Sequence, residues 1–374
     1  MKSYSRKTWS VLILAALFLT SCACHQHSCT YHPREEGSVS QGISASQGSD
    51  ASQGLSMSQN PAAAQAQTQA QVQAPAQGSN PDQSQDSSLS RREKIMQKAL
   101  KWIIDHPASF QDGGFLEMGE EANLFYVLSI RAKTAEEKQF YRDRLARILQ
   151  ELRSKKDFRI EFAGEITAYL AITKAAEKLG FETGDLHQFI KREILNSEMT
   201  YPPNITYVIL NSALLRDLGY EPKVPMETSI GQGVIASMTK NSYLIPIGKS
   251  YASDQDVSNF FYDITHEIFA ISSFGDKNPE TMLMPKELEF VQRIIPEGIN
   301  LYLPKKQLDI LCELVVCAKI MNYTNVPGLE KTVDFIFSSQ EEDGAFGVIP
   351  RMKDLGRGNI YRHGVLVAVW ALAS

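Results

Sequence analysis

From Arg91 to Ser374 apolar residues recur at spacings of three and four, and almost nowhere do they alternate with polar ones. The first pattern lays a stripe along one face of a helix; alternation would have marked strands. Gly180, Pro202-Pro203, Gly219, Pro222, Gly275, Pro279, Pro304, Pro327-Gly328 and Gly356 to Gly358 interrupt the pattern, since neither residue suits a helix interior. The intervals predict helices near 90–105, 120–132, 136–154, 164–179, 184–196, 204–218, 227–240, 257–274, 286–301, 305–322, 327–339 and 359–373. The fold class expected is all-α, with about twelve helices.

Every second helix is richer in apolar and small residues, so it should be the more buried of its pair. These helices also begin alike. Glu165-Ile166-Thr167, Asn204-Ile205-Thr206 and Asp263-Ile264-Thr265 share one form, and Asn359-Ile360-Tyr361, Asp309-Ile310-Leu311 and Asn123-Leu124-Phe125 are looser copies. Their separation, about 40 to 60 residues, is that of helix-pair repeats. The leading polar residue reads first as a helix N-cap or first-turn group that satisfies free N–H groups and the helix dipole. That role leaves room for a second one, in binding.

Upstream the composition changes. From about Tyr31 to Ser90 the chain is Ser, Gln, Ala and Gly, with Ser-Gln-Gly recurring at Ser40, Ser46 and Ser52. So little apolar surface cannot offset the entropy of ordering, which predicts a disordered linker over 22–90. A flexible stretch of roughly 60 residues spans about 40–45 Å root-mean-square. One large helical domain, 91–374, follows. The net charge of −5 argues against a dedicated nucleic-acid binder.

The N-terminus is basic at Lys2, Arg6 and Lys7, then apolar from Val11 to Leu19, then small at Thr20 and Ser21. That apolar run is too short for a membrane span, which needs about 20 residues, and it reads as an export signal over 1–21. Leu19-Thr20-Ser21-Cys22 resembles the lipobox of bacterial lipoproteins. The resemblance implies cleavage before Cys22, lipidation of Cys22, and a membrane partner reached through the lipid. It places the domain outside the cytoplasm in the cell envelope. Ala23 in place of Asp favours the outer membrane of a Gram-negative cell. Cys24-His25-Gln26-His27-Ser28-Cys29-Thr30-Tyr31-His32 follows, a donor-rich run that suits copper or zinc, or a Cys24–Cys29 disulfide. Cys312 and Cys317, five apart on one helix, point in different directions and are not expected to bridge.

Gln111-Asp112-Gly113-Gly114-Phe115 precedes the first apolar helix, and Asp343-Gly344-Ala345-Phe346-Gly347 precedes the last. Asp-Gly-x-Phe-Gly before an apolar helix, with six helix pairs, resembles the (α/α)6 toroids: terpene cyclases, protein prenyltransferase β subunits, lanthionine cyclases and thioester domains. Phe260-Phe261-Tyr262-Asp263-Ile264-Thr265-His266-Glu267-Ile268-Phe269 is similar to a His-bearing prenyltransferase helix. It is closer still to a helix with a Thr-His pair in an uncharacterised bacterial domain family. The resemblance implies an (α/α)6 toroid whose six inner helices run parallel and open all their similar starts at one mouth.

Asp263 and His266, three apart, share a helix face, Asp309 and Cys312 repeat the spacing, and Asn359 and His363 are four apart. Asp263, His266, Cys312 and His363 converging at one mouth would suit zinc with a position left for water or substrate. The toroid resemblance points the same way, although the second Cys of a Cys-Cys-His set is missing. Ala270 also stands where a zinc-protease helix has its second His. A single His on such a helix also reads as a hydrogen-bonded core residue. Without metal, Glu165, Asp263, Glu267 and Asp309 offer carboxylates, and two of them about 5–10 Å apart can act as acid and base on a glycosidic bond. Asp263, His266 and Glu267 are the catalytic candidates. Glu165, Asn204, Asp309 and Asn359 are the ligand-binding candidates. No Gly-rich phosphate loop or nucleophile elbow stands out. The leading expectation is a lipid-anchored toroid that binds a ligand or envelope partner in or over its cavity, with catalysis left open.

Overall fold

The computed structural model describes residues 90–110, 114–323, 325–346 and 358–373, all within one compact unit. The expected signal and linker, Cys22 included, lie outside the described residues. The helices are α1 (Arg91–Asp105), α2 (Phe115–Arg131), α3 (Ala135–Ser154), α4 (Ala163–Lys178), α5 (Gly184–Phe189), α6 (Ile205–Asp217), α7 (Met226–Gln232), α8 (Val234–Lys240), α9 (Asp254–Ile271), α10 (Pro285–Tyr302), α11 (Leu308–Ile320), α12 (Leu329–Ser338) and α13 (Gly358–Ala373). Among the described residues there is no strand, only an isolated bridge between Gln340 and Phe346. The domain is all-α.

Local chemistry sets several starts. Ser90 with Glu93, Thr134 with Glu137 and Ser253 with Asp256 form reciprocal caps at α1, α3 and α9. Pro285 opens α10, where its missing N–H costs nothing. Alternate helices then differ in burial. On α3 the buried residues are Leu145, Ile148, Leu149 and Leu152, a single stripe. On α11 every residue but Asp309, Lys319 and Ile320 is buried. Each fully buried Leu, Ile or Val contributes about 1.5–3 kcal/mol of burial free energy.

The strongly buried helices are α2, α4, α6, α9, α11 and α13. Each packs on the next, and α13 packs back on α2, so the contacts form a closed circuit. Asp309 in the first turn of α11 lies beside His363 in the second turn of α13, and Thr206 in the first turn of α6 bonds Asp263, which sits midway along α9 and not at its start as the sequence pattern suggested. Ends meet ends: Lys319 of α11 bonds the Ala371 carbonyl of α13, and Ser273 just past α9 bonds Asp217 at the end of α6. These neighbours therefore run parallel, and the helices between them return the chain. The helices α2 and α4 approach closely because Gly119 has no side chain: a Cβ there would lie 2.6 Å from the Ala168 Cα.

Three boundaries depart from the sequence reading. The first apolar helix begins at Phe115 rather than near residue 120, since Phe115 stacks on Phe110 and meets Phe158 edge-on, with ring centroids 4.9 and 4.8 Å apart. The helix expected over 227–240 is cut at Gly233 into α7 and α8. The one expected over 184–196 leaves α geometry after Phe189 and continues as a π turn over Ile190–Ile194. Cys312 and Cys317 are buried free thiols.

Candidate functional site

Asp309 and Glu313 lie four apart on α11 and so share a face. His363 of α13 approaches both: its Nε2 is 3.1 Å from Asp309 Oδ1 and 3.7 Å from Glu313 Oε1. One donor atom from each residue falls within 4.8 Å of the other two. Each residue is also held at its other polar atom. His363 Nδ1 donates to Glu120 Oε2 of α2 at 2.8 Å. The Tyr262 hydroxyl of α9 donates to Asp309 Oδ2 at 2.6 Å. Thr265 Oγ1 donates to Glu313 Oε2. Four buried helices thus supply one cluster at the N-terminal end of the circuit.

The electrostatics follow from crowding carboxylates round one imidazole. Burial alone would favour neutral His363, but Glu120 and Asp309 outweigh it and hold the imidazole well above its usual value. Burial likewise opposes ionisation of Asp309, yet His363, Tyr262 and His266 hold its carboxyl below the usual range. Burial first, then the Asp309 charge, pushes the Tyr262 phenol up. Side-chain exposure is 33% for His363 and 35% for Asp309 against 1% for Glu313, so the first two can meet a solute. Asp309 Oδ1 is itself buried, and the His363 imidazole 3.1 Å away meets it as an ion partner without an aligned hydrogen bond.

The other candidates are placed as follows. His266 lies beside the cluster, with Nδ1 2.6 Å from the Tyr262 carbonyl oxygen and 3.9 Å from Glu313 Oε2. Asp263 turns to α6 and accepts from Thr206 Oγ1 at 2.7 Å. Glu267 accepts the Val234 and Ile235 N–H groups, capping α8. Burial nevertheless pushes its carboxyl up to about 8. Gly233 makes room for that cap. Cys312 is fully buried, with its thiol pushed up by burial, and its sulfur stands outside the convergent set. Asn204 caps α6 through the Thr206 N–H at 2.9 Å, and Glu165 accepts the Glu161 N–H at 2.6 Å. Asn359 sits in the first turn of α13, its side chain outside the described residues.

Glu313 and Glu120 carry the cluster but were not picked out from the sequence. Glu313 did leave a signal, as a single charge inside the apolar run from Ile310 to Ala318. Beneath the cluster Arg362 pairs with Glu117 at 2.5 Å, and burial pushes the Glu117 carboxyl up to about 7 against the pull of Arg362.

The opposite end of the circuit holds a second polar group. Lys174 of α4, 2% exposed, donates to the Ser273 carbonyl at 2.9 Å and to Ser273 Oγ at 3.1 Å. It also lies 3.2 Å from Asp217 Oδ2 and 3.5 Å from Asp276 Oδ2. Tyr126 donates to Asp276 at 2.8 Å, and Lys277 pairs with Asp217 at 2.6 Å. Cations and anions are matched here and mostly buried, which is the arrangement of a brace.

Residues 98–356 match the family model described as Domain of unknown function (DUF6895). The matched stretch contains Glu120, Tyr262, Thr265, His266, Asp309 and Glu313 and ends before His363. No curated protein and no solved structure matches the chain. With most of its length matched, this chain belongs to the DUF6895 family.

Proposed function

We propose that the chain is a lipid-anchored envelope protein whose helical domain is an (α/α)6 toroid that binds a ligand over the N-terminal end of its buried helices. One observation carries the binding reading: α2, α9, α11 and α13 each send polar side chains into one partly exposed cluster, Glu120, Tyr262, Asp309, Glu313 and His363. Four separate helices must hold their register for that cluster to exist, which is how a binding site is kept rigid. Carboxylates outnumber imidazoles there, so the ligand is neutral or cationic rather than anionic. The closed circuit of parallel helices supports the toroid. The Leu19–Cys22 motif supports the anchor, and no described helix is long and apolar enough to cross a membrane.

A thermal-shift screen of the full chain against sugars, amino acids and polyamines tests the binding. A ligand of this site raises the melting temperature of the wild type and fails to do so for Asp309→Asn. A shift that survives both Asp309→Asn and Glu120→Gln would move the site elsewhere. For the anchor, Cys22→Ser should shift the chain from the membrane to the soluble fraction; retention with the membrane would refute lipidation at Cys22.

A further inference from the structure

We propose that Asp309, Glu313 and His363 hold a divalent transition-metal ion. The proposal rests on the N-terminal end being the binding site and names the chemistry it takes. The three side chains divide their atoms between two layers. His363 Nε2, Asp309 Oδ1 and Glu313 Oε1 face one another at 3.1 and 3.7 Å from the imidazole. The remaining atoms, Nδ1, Oδ2 and Oε2, are taken by Glu120, Tyr262 and Thr265. This is the two-layer arrangement of a metal centre, in which outer partners fix the tautomer and orientation of each ligand. A carboxylate on the far nitrogen of a ligating imidazole is its commonest form.

The spacing fits as well. Ligands about 2.0–2.2 Å from one ion stand roughly 3–3.5 Å apart, close to the two distances from the imidazole; all three separations lie within 4.8 Å, so a bound ion draws the carboxylates slightly together. Asp309 Oδ1 supplies a further sign. It is buried, and the His363 Nε2 3.1 Å away is an ion partner that is not aligned to bond it. A buried acceptor without a well-aligned donor is costly unless something fills its lone pairs. Charge points the same way: the carboxylates of Glu120, Asp309 and Glu313 outnumber the imidazoles of His363 and His266, and a dication offsets the excess.

One nitrogen and two carboxylate oxygens favour zinc or manganese over magnesium and calcium, which prefer all-oxygen cages. Three protein ligands leave at least one position for water or a ligand atom. Cys312, buried and held as a thiol, is not among them.

The test uses the full chain purified without chelator, with metal content by mass spectrometry and calorimetric titration of ZnCl2 and MnCl2. The expected result is one ion per chain at this site. Glu313→Gln and His363→Ala should each lower affinity at least about 100-fold. Tyr262→Phe and Glu120→Gln, which keep all three ligands, should lower it about 10- to 100-fold at unchanged stoichiometry. Thermal unfolding of each variant identifies any that fail to fold, and the two outer-layer variants then carry the test. Wild-type affinity in Glu313→Gln and His363→Ala would overturn the proposal and place the ion elsewhere, such as the Cys24–His32 run. Absence of any bound ion at millimolar zinc or manganese would also overturn it. In either case, a screened ligand that still depends on Asp309 would leave the binding reading standing.

Discussion

At the C-terminal end of the buried helices, Lys174 is enclosed by Ser273, Asp217 and Asp276; at the N-terminal end, His363 stands among Glu120, Asp309 and Glu313. The same helix dipole favours both, with carboxylates near helix starts and cations near helix ends. The difference lies in exposure. Lys174 is 2% exposed and Asp217 4%, and Asp217 is held below the usual carboxylate range despite burial, chiefly by Lys174. His363 and Asp309 are about one-third exposed over a buried Glu313. A buried charge network stabilises a fold, whereas a partly exposed, rigidly held one is suited to receive something.

The largest effect that would break this contrast is on the buried side. Lys174→Met leaves Asp217 buried beside a lost cation, and breaking such a pair costs about 3–5 kcal/mol. Urea unfolding should show that loss with metal affinity unchanged; a loss below about 1 kcal/mol would mean Lys174 is no brace. Next in size is Gly233→Ala. Its Cβ would lie 2.6 Å from Glu267 Oε1, and forcing in such an atom costs about 1–3 kcal/mol. Hydrogen exchange should speed up at the Val234 and Ile235 amides, which Glu267 now holds.

The pH dependence sharpens the contrast further. Burial, helped by Arg92 and Arg131, brings the Lys319 ammonium down to about 8. Between there and its ordinary value of 10.5 the unfolded chain binds the extra proton. Stability should therefore rise with pH through that window. Lys319→Met should flatten that part of the rise in unfolding free energy; an unchanged slope would assign it to other groups. The smallest stability effect is expected for Glu120→Gln. Glu120 is exposed, so its contact with His363 contributes under about 1 kcal/mol. The substitution should barely move the melting temperature while weakening metal binding, and a large drop in stability would recast Glu120 as a structural residue.

The helical class was legible because the three-four spacing of apolar residues is a local property; the start of α9 was not, since the apolar pattern begins near residue 257 and the cap at Ser253 carries the helix back to Asp254. The cluster was only half legible. Asp309 and His363 were visible at the starts of their helices. Glu313 was passed over for Cys312 because three and four residues on from Asp309 lie on either side of it. Which one faces the neighbours depends on the rotation of α11, which packing sets and local sequence does not. Glu120 was hidden by a boundary: a helix beginning near residue 120 leaves it at the entrance, whereas α2 begins at Phe115 and carries it a turn inside. Phe115 is drawn into the helix by its edge-on contact with Phe158, a contact between distant residues. Glu267 was read as a candidate acid, and the structure gives its carboxylate to the start of α8, across a gap of more than thirty residues.

The most direct measurement is anomalous diffraction at the zinc edge from crystals of the chain grown with zinc. The account predicts one peak on the N-terminal end, about 2.0–2.2 Å from His363 Nε2, Asp309 Oδ1 and Glu313 Oε1. No peak there, with His363 Nε2 still 3.1 Å from Asp309 Oδ1, would contradict it and make this cluster a second brace like that of Lys174.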